Sequence, residues 1–185
     1  MSELNRQAHW QLVYKEKGEN QFSWFQERPN ISLALIEAVQ ADRSSAIIDI
    51  GGGASRLVDA LVEKGYRDLT VLDLSESAVS IAKMRLGERA AMVKWIVADV
   101  TRWEPPRSYD LWHDRAAFHF LTEASDRTAY IDRLAKTVRP VVRYDAARLS
   151  ATLTPSFALV DMRRDDHKTP WGAIQHFQFS VFRRA

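Results

Sequence analysis

Three aspartates and one run of glycines are the residues of this chain whose types and spacing could bind a ligand. Asp49, Asp73 and Asp99 each stand at the end of a short apolar run, and glycines at 51–53 follow the first of these runs. Carboxylates accept hydrogen bonds from hydroxyl and amine groups, and glycines let the backbone approach a ligand closely. The pattern predicts a ligand site, although Asp49 could instead orient loop amides and Asp99 could cap the turn that follows it.

The elements that must hold these residues follow from the hydrophobic pattern. Predicted strands at 47–50, 69–73, 93–97 and 109–112 alternate with segments in which apolar residues recur at helical spacing. Strands that alternate with helices form parallel βαβ units, whose right-handed crossovers place helices on both faces of an open sheet. Ligands of such sheets bind beyond the carboxyl ends of the strands, and all three aspartates fall at that edge.

The C-terminal part of the chain departs from this alternation. Two β-rich runs at 157–162 and 175–182 have no helical pattern between them, and their connector at 165–172 has turn residues, so a hairpin closes the sheet. We predict the α/β class: a doubly wound, Rossmann-like, mostly parallel sheet with a C-terminal antiparallel hairpin. The predicted single domain, 1–185, consists of an N-terminal helical region at 1–45, a cofactor-binding core at 46–138, and a final helix and hairpin at 139–185.

Composition narrows the classes of function. The chain has 185 residues, a net charge of +2 from 26 basic and 24 acidic residues, and no cysteine. So small a charge excess gives no electrostatic basis for binding nucleic acid, and the lack of cysteine excludes disulfides, thiolate nucleophiles and Cys-ligated zinc. The sequence has no signal-peptide core, and no apolar run approaches the ~20 residues of a membrane-spanning helix. We therefore expect a cytoplasmic protein with no metal and no membrane partner.

Two cofactors fit a glycine turn that is followed by acids at strand ends. A dinucleotide site needs the pattern Gly-x-Gly-x-x-Gly, and counting from Gly51 the third glycine position holds Arg56, whose bulk disfavours a pyrophosphate. S-adenosyl-L-methionine needs a glycine turn, an acid for the ribose hydroxyls and a polar group near the adenine amine. Asp73, 22 residues after Gly51, suits the ribose, and Asp99 suits the amine. The pattern favours S-adenosyl-L-methionine over a nicotinamide-dependent oxidoreductase.

Three motifs resemble those of the class I, seven-stranded S-adenosyl-L-methionine-dependent methyltransferases. They are Ile48-Asp49-Ile50-Gly51-Gly52-Gly53-Ala54-Ser55, Val71-Leu72-Asp73-Leu74-Ser75 and Val97-Ala98-Asp99-Val100. The N-terminal stretch from Trp10 to Gln26 and the segment at 112–115 are similar to a bacterial branch of that superfamily, whose eukaryotic relatives include protein-lysine methyltransferases. The resemblance implies methyl transfer to a small-molecule or protein side-chain acceptor, and it leaves the acceptor open.

The resemblance also implies roles for individual residues. Asp73 would hold the ribose, and Asp99 with Val100 the adenine. Arg115 would face the reaction centre, and aromatic side chains of the N-terminal region would form a lid, although such residues are as often core packing. The implied cofactor-binding set is Asp49, Gly51, Gly52, Gly53, Ser55, Asp73, Leu74, Asp99, Val100 and Arg115, with Trp10, Tyr14 and Trp24 as the lid.

A general base is needed only if the acceptor arrives protonated, as a lysine would. Asp114 and His113, at the end of the fourth predicted strand, are the predicted catalytic residues, with His119 and His167 as further candidates. His113 and His119 flank an apolar run, which is more typical of histidines held by packing or hydrogen bonds. His167 lies in the charged connector at 165–172, where a solvated turn is a simpler interpretation than a metal cluster.

One departure from the family pattern lies after the helix that ends near Val138. Residues 141–144 alone precede the next predicted helix at 146–153, and four residues cannot supply both a fifth strand and its loop. We therefore expect a fifth strand that is shortened or absent, with the last strand or a second copy of the chain filling the gap. A homodimer through the exposed sheet region and a non-catalytic S-adenosyl-L-methionine-binding protein without an acceptor site remain open alternatives.

Overall fold

A computed structural model of the chain describes residues 3–16, 18–39, 41–115, 117–138, 142–143, 157–169 and 171–184. Its α-helices are α1 (Glu3–Glu16), α2 (Asn30–Ala38), α3 (Leu57–Glu63), α4 (Glu76–Leu86) and α5 (Ala124–Thr137). Its strands are β1 (Ala46–Ile50), β2 (Asp68–Asp73), β3 (Val93–Val97), β4 (Leu111–Asp114), β5 (Val142–Arg143), β6 (Phe157–Lys168) and β7 (Ile174–Arg184). Short 3₁₀ helices occupy Glu19–Gln21, Gly87–Met92 and Ala117–Phe120.

These strands form one sheet in the order β3-β2-β1-β4-β5-β7-β6. β1 pairs parallel with β2 on one side and with β4 on the other, and β3 is parallel to β2. β7 is antiparallel to both β5 and β6. The predicted α/β class and mostly parallel sheet are thereby confirmed. Because the chain runs outward from β1 to β3 and then returns to β4 on the other side of β1, the strand order reverses there and opens a crevice.

The sheet separates two layers of apolar side chains, because successive residues of a strand point to opposite faces. In β1, Ile47 belongs to the cluster that includes Leu33 of α2, whereas Ile48 belongs to the cluster on the other face, with Tyr130 of α5. All five residues of β1 are buried, as expected for a central strand that is covered on both faces. Their packing fixes the strand whose end carries Asp49 and the glycine turn.

A capping serine and two glycines mark the limits of α3 and α4 where the sequence predicts. The Ser75 hydroxyl accepts a hydrogen bond from the Ala78 N–H (3.2 Å) and caps the start of α4. Gly65 and Gly87 follow α3 and α4 with φ angles of +81° and +58°, a conformation in which other side chains are strained. α4 therefore begins directly after β2 and brings its first turn to the end of that strand.

A two-residue strand stands where a shortened fifth strand was expected. β5 consists of Val142 and Arg143; Val142 pairs with Trp112 of β4 on one side and with Phe182 of β7 on the other. The C-terminal hairpin therefore joins the parallel strands through β5. The predicted helix at 146–153 lies outside the described residues.

The predicted boundaries of the C-terminal hairpin were wrong. β6 extends to Lys168, so residues 165–167 lie in the strand and pair with β7 instead of forming a connector at 165–172. The turn is shorter, with the Thr169 N–H donating to the Ala173 carbonyl (2.8 Å). The run of charges was misleading because an edge strand can hold charged side chains that point into solvent.

β4 also differs from its prediction at 109–112. It runs from Leu111 to Asp114, and Tyr109 instead forms an isolated parallel bridge with Val138. The shift places His113 and Asp114 inside the strand, and both side chains are buried.

Candidate functional site

A cavity lies at the carboxyl ends of β1 to β4, at the sheet edge that the sequence predicts. Its volume is about 650 Å³, which is in the range of sites that enclose a ligand of cofactor size. The lining residues are Arg6, Trp10, Tyr14, Ser23, Trp24, Asp49, Ile50, Gly51, Gly52, Ser55, Leu72, Asp73, Leu74, Ala98, Asp99, Val100, His113, Arg115, Ala117, His119, Phe120 and Leu121. Every predicted cofactor-binding residue except Gly53 is in this set.

Each of the three successive glycines is required for a different structural reason. Gly51 has a φ of +66°, which other residues rarely adopt. A Cβ on Gly52 would overlap the Asp49 carboxylate, and a Cβ on Gly53 would lie 2.5 Å from the Ala78 Cβ. Gly51 and Gly52 line the cavity, whereas Gly53 allows the loop to pack against α4.

Asp73 is buried at the end of β2 and lines the cavity. Its Oδ2 accepts a hydrogen bond from the Gly53 N–H (2.9 Å), and its Oδ1 accepts one from the Ser75 N–H (2.8 Å). Burial raises the pKa of this carboxyl to about 6, although the hydrogen bonds from the backbone oppose the rise. The glycine turn and the start of α4 thus orient the carboxyl group, which retains lone pairs for the hydroxyl groups of a ligand.

Asp99 caps the turn after β3, which is one of the two roles that the sequence left open, and its side chain also lines the cavity. Its Oδ1 accepts hydrogen bonds from the Thr101 N–H (2.8 Å) and the Thr101 hydroxyl (2.7 Å), which shape the turn after β3. Its Oδ2 pairs with Arg6 Nη2 of α1 at 2.9 Å, while Arg6 Nη1 lies 2.6 Å from Asp126 Oδ2. The carboxylate therefore caps a turn, lines the cavity and holds α1 at the same time.

One face of α1 covers the cavity. Arg6, Trp10 and Tyr14 recur every fourth residue, so they share that face, and all three line the cavity. The Trp10 ring contacts the rings of Trp24 (centroids 5.9 Å apart) and Phe120 (4.9 Å apart). Burial raises the pKa of the Tyr14 hydroxyl, which therefore keeps its proton. The sequence prediction missed Arg6, and the spacing of four residues is the signal that could have found it.

Arg115 follows β4 and is held by the segment that precedes α2. Its Nη1 donates to Gln26 Oε1, and its Nη2 donates to the Trp24 carbonyl (2.7 Å). Burial lowers the pKa of this guanidinium, and the Asp49 carboxylate opposes that shift. Arg115 places a cation in the cavity that also contains the three aspartates.

Asp49 and His113 stand opposite each other in the pairing of β1 with β4. His113 Nδ1 lies 2.6 Å from Asp49 Oδ1, and His113 Nε2 lies 2.9 Å from Ser32 Oγ of α2. Asp49 Oδ2 is buried and has no hydrogen-bond partner among the described residues. The structure therefore places His113 at the cavity wall with both ring nitrogens engaged.

The Asp114 carboxylate is engaged by the 3₁₀ helix that follows β4 and by α5. Its Oδ1 accepts a hydrogen bond from the Ala117 N–H (2.7 Å), and its Oδ2 accepts from the Phe118 N–H (3.1 Å) and the Tyr130 hydroxyl (2.6 Å). Burial raises the pKa of Asp114 to about 7. Asp114 is not among the described residues that line the cavity, so this geometry favours positioning the 3₁₀ helix over direct contact with a ligand.

Three comparisons with known proteins bear on this site. The sequence matches the family model described as a methyltransferase domain over residues 47–141, a range that contains the glycine turn and all three aspartates. The chain belongs to the methyltransferase-domain family. The predicted resemblance to the methyltransferases is thereby confirmed.

Solved structures of methyltransferases share the fold of this chain. One is magnesium protoporphyrin IX methyltransferase from Synechocystis with bound S-adenosyl-L-methionine, with a TM-score of 0.73, 15% identity, and coverage of 99% of this chain and 97% of that one. Another is an N-methyltransferase from Bradyrhizobium japonicum in complex with S-adenosyl-L-homocysteine, with a TM-score of 0.71, 18% identity, and coverage of 96% and 98%. These structures agree with the predicted Rossmann-like fold and support the predicted cofactor.

Curated relatives of this methyltransferase domain are named eEF1A lysine and N-terminal methyltransferase. The protein from Bos taurus is 23% identical over 154 residues, which cover 82% of this chain and 22% of the relative. The protein from Danio rerio is 27% identical over 100 residues, which cover 54% of this chain and 14% of the relative. The chain thus spans about a fifth of the length of the first of these relatives.

The described part of the chain also bears on metals and membranes. Among its His, Asp and Glu side chains, no group of three is arranged to hold a metal ion. None of its helices combines the length and the apolar composition that crossing a bilayer requires.

Proposed function

We propose that this methyltransferase domain binds S-adenosyl-L-methionine in the cavity at the ends of β1 to β4 and methylates an amino group of a protein. The observation that carries the donor half is the convergence of Asp49, Asp73 and Asp99 on one cavity beside a glycine turn. The names of the curated relatives support the acceptor half.

The polar groups of the cavity fit the hydrogen-bond donors of S-adenosyl-L-methionine. Asp73 would accept hydrogen bonds from the ribose hydroxyls, and Asp99 would accept one from the adenine amine. Asp49 Oδ2 is buried and has no hydrogen-bond partner among the described residues, and it would accept a hydrogen bond from the ammonium group. Arg115 would bind the carboxylate of the methionine part. A pyrophosphate in place of these groups would bring two negative charges to three carboxylates, which argues against a dinucleotide.

The bound donor supplies a methyl group on a positively charged sulfur, and the contribution of the protein is chiefly alignment and exclusion of water. The lid face of α1 and the ring of Trp24 cover the cavity and keep water from it. Phe120 is 45% exposed beside Trp10, so an aromatic surface lies at the entrance. Aromatic faces attract cations, which suits the approach of a protonated amine.

An amine must lose its proton before it can accept a methyl group. His113 has both ring nitrogens within hydrogen-bond distance of Asp49 and Ser32. His119 also lines the cavity, is exposed, and contacts Phe120 through its ring. We therefore assign the acceptance of the proton from the incoming ammonium group to His119, and assign His113 and Asp114 to positioning.

The acceptor is tested by labelling. Heat-treated cell extract is incubated with the chain and S-adenosyl-L-methionine carrying a radioactive methyl group, before and after acetylation of the protein amines. We expect label in protein that disappears when the amines are blocked and when Asp73→Ala replaces the wild type. Label that survives blocking, or label confined to the low-molecular-mass fraction, would contradict a protein amine as acceptor.

The same experiment addresses the alternative of a non-catalytic binding protein. Saturable binding of S-adenosyl-L-methionine without transfer to any fraction of the extract would support that alternative. The exposed His119 in the cavity lining favours catalysis, because a proton acceptor is not needed for holding the donor alone.

A further inference from the structure

Three buried side chains from three different elements form a continuous chain of hydrogen bonds that ends at the cavity. Ser32 of α2, His113 of β4 and Asp49 of β1 are 1%, 4% and 4% exposed. The two contacts measure 2.9 Å, from Ser32 Oγ to His113 Nε2, and 2.6 Å, from His113 Nδ1 to Asp49 Oδ1. The chain connects a helix of the outer layer with the strand that precedes the glycine turn.

The Asp49 carboxylate determines which atoms donate and which accept in this series of hydrogen bonds. An ionised carboxylate only accepts hydrogen bonds, so the proton of the shared contact must be on His113 Nδ1. In the neutral tautomer, Nε2 is then the acceptor, and the Ser32 hydroxyl donates to it. The Asp49 carboxylate therefore selects the tautomer whose Nδ1–H points at it, and the Ser32 hydroxyl holds the opposite side of the ring at Nε2.

The sequence Ser–His–Asp also occurs in hydrolytic triads, but the placement here differs. Ser32 is almost fully buried and is not among the described residues that line the cavity, so its hydroxyl is not presented to a substrate. Asp49 and His113 both line the cavity. Because both ring nitrogens of His113 are engaged, the carboxylate of Asp49 is the group of the three that can bind a ligand.

Two contacts hold this carboxylate from different sides. His113 engages Oδ1, while Gly52 packs so closely that a Cβ there would overlap Oδ2. Oδ2 is buried, has no hydrogen-bond partner among the described residues, and belongs to a residue that lines the cavity. A buried acceptor without a partner is costly, and a ligand with a positively charged donor would satisfy it.

We propose that Ser32 and His113 are positioning residues that fix Asp49 Oδ2 toward the ammonium group of the methyl donor, so that donors with this group are selected over analogues without it. The inference rests on the proposed function, because it concerns the donor site of that function. Neither Ser32 nor His113 needs to touch the reacting atoms for this role.

The test compares two ligands that differ in the amino-acid part. S-adenosyl-L-homocysteine carries the ammonium group, whereas 5′-methylthioadenosine has the same nucleoside and no amino acid. In calorimetric titration, we expect Ser32→Ala and His113→Phe to weaken the binding of S-adenosyl-L-homocysteine about tenfold or more. The affinity for 5′-methylthioadenosine should change by less than twofold. His113→Asn, whose amide can still donate to Asp49 Oδ1, should retain more affinity than His113→Phe.

Thr70→Val is the matched control, because Thr70 is a buried residue of the adjacent strand β2 whose hydroxyl has no described partner. This variant should bind both ligands with the affinity of the wild type. Equal weakening of both ligands in the Ser32 and His113 variants would show a merely structural role, and unchanged binding of both would show no role. Binding of neither ligand by folded wild type would overturn the proposed function together with this inference, whereas tight wild-type binding with unselective variants would overturn only the inference.

Discussion

Single residues of the cavity carry charges that are set by a competition between burial and hydrogen bonding. Asp73 is the clearest case, because burial raises its pKa to about 6 while backbone N–H groups of Gly53, Ser75 and Leu74 pull the pKa down. Burial raises the pKa of Asp114 to about 7, opposed first by the charge of His113 and then by hydrogen bonds from the backbone. Both carboxyl groups therefore change charge close to neutral pH, and only Asp73 lines the cavity.

Binding of S-adenosyl-L-homocysteine should weaken as the pH falls from 7.5 to 5. The ionised Asp73 carboxylate accepts from the ribose hydroxyls, and one pH unit below its pKa only about a tenth of it remains ionised. We therefore expect about a tenfold loss of affinity at pH 5, measured by calorimetry, and a flatter profile for Asp73→Asn. The ligand ammonium group stays charged over this range. Identical profiles for wild type and variant would contradict the assignment.

The same pKa shift makes the stability of the folded protein change with pH in the direction opposite to ligand binding. Because the folded-state pKa of Asp73 is raised above its ordinary value, the folded protein binds this proton more tightly than the unfolded chain does. The contribution of Asp73 to the free energy of unfolding thus increases as the pH falls from about 6 toward the ordinary value, and decreases as the pH rises through about 6.

Replacement of Gly53 by alanine should destabilise the protein through overpacking. Its Cβ would lie 2.5 Å from the Ala78 Cβ and 2.6 Å from Asp73 Oδ2, so α4 or the glycine turn must move. We expect Gly53→Ala to lower the free energy of unfolding by about 1–3 kcal/mol in urea denaturation. Gly18→Ala is the control, since its nearest neighbour is the Asn20 side chain at 3.3 Å. Equal stability of the two variants would contradict the packing argument.

The positions of the cavity residues were predictable, but the directions of their side chains were not. Strand ends and glycines identified Asp49, Asp73 and Asp99, because parallel strands bring their carboxyl ends to one edge whatever their side chains contact. Asp114 also stands at a strand end, yet its carboxylate bonds to the 3₁₀ helix and Tyr130. The hydrogen-bond partners of Asp114 depend on where α5 packs, and the residues near Asp114 in the sequence do not determine that packing.

At the scale of elements, polar side chains of α1, among them Arg6 and Gln11, connect this helix to the domain core. Arg6 pairs with Asp99 and Asp126, and Gln11 Oε1 accepts hydrogen bonds from the Ser75 hydroxyl (2.9 Å) and the Ser77 N–H (3.1 Å). The second contact places Gln11 at the start of α4, directly beside the loop that carries Asp73. α1 is therefore connected to the same turns that orient the cavity acids.

Removal of the Arg6 ion pairs should open this lid. We expect Arg6→Ala to raise the dissociation rate of S-adenosyl-L-homocysteine about tenfold, a change in barrier of ~1.4 kcal/mol, because both ion pairs of Arg6 are lost. Stopped-flow tryptophan fluorescence measures the rate, since Trp10 and Trp24 line the cavity. Lys15→Ala, an exposed site on the same helix, should leave the rate unchanged. A slower dissociation in Arg6→Ala would show that Arg6 competes with the adenine for Asp99.

Element types were easier to predict than element ends. Helical spacing and β-rich runs identified the core elements, because burial of one or both faces imposes a period. The ends failed where pairing decides them: β6 extends through a run of charges to Lys168 because β7 pairs with it along that length. β5, with two residues, exists only through its pairing with Trp112 and Phe182, and no local signal marks so short a strand.

At the scale of the whole molecule, the chain is similar to one segment of much longer relatives. The match covers 82% of this chain and 22% of the protein from Bos taurus, so the domain alone should contain the donor site. A homodimer through the exposed sheet region stays a prediction. Sedimentation equilibrium tests it: a mass of about twice the 21.2 kDa of the chain would support the dimer, and the monomer mass at all concentrations would contradict it. The cytoplasmic location also stays a prediction.

The cavity at the ends of β1 to β4 is the proposed site of the methyl donor, and a calorimetric titration with S-adenosyl-L-methionine tests this proposal most directly. Asp73→Ala removes a cavity acid, whereas Asp68→Ala removes an acid at the opposite end of the same strand, where it pairs with Arg107. We predict saturable binding to the wild type and to Asp68→Ala, and a loss of more than tenfold, ~1.4 kcal/mol, in Asp73→Ala. Absence of binding to the folded wild type, or equal affinities of the two variants, would contradict the account.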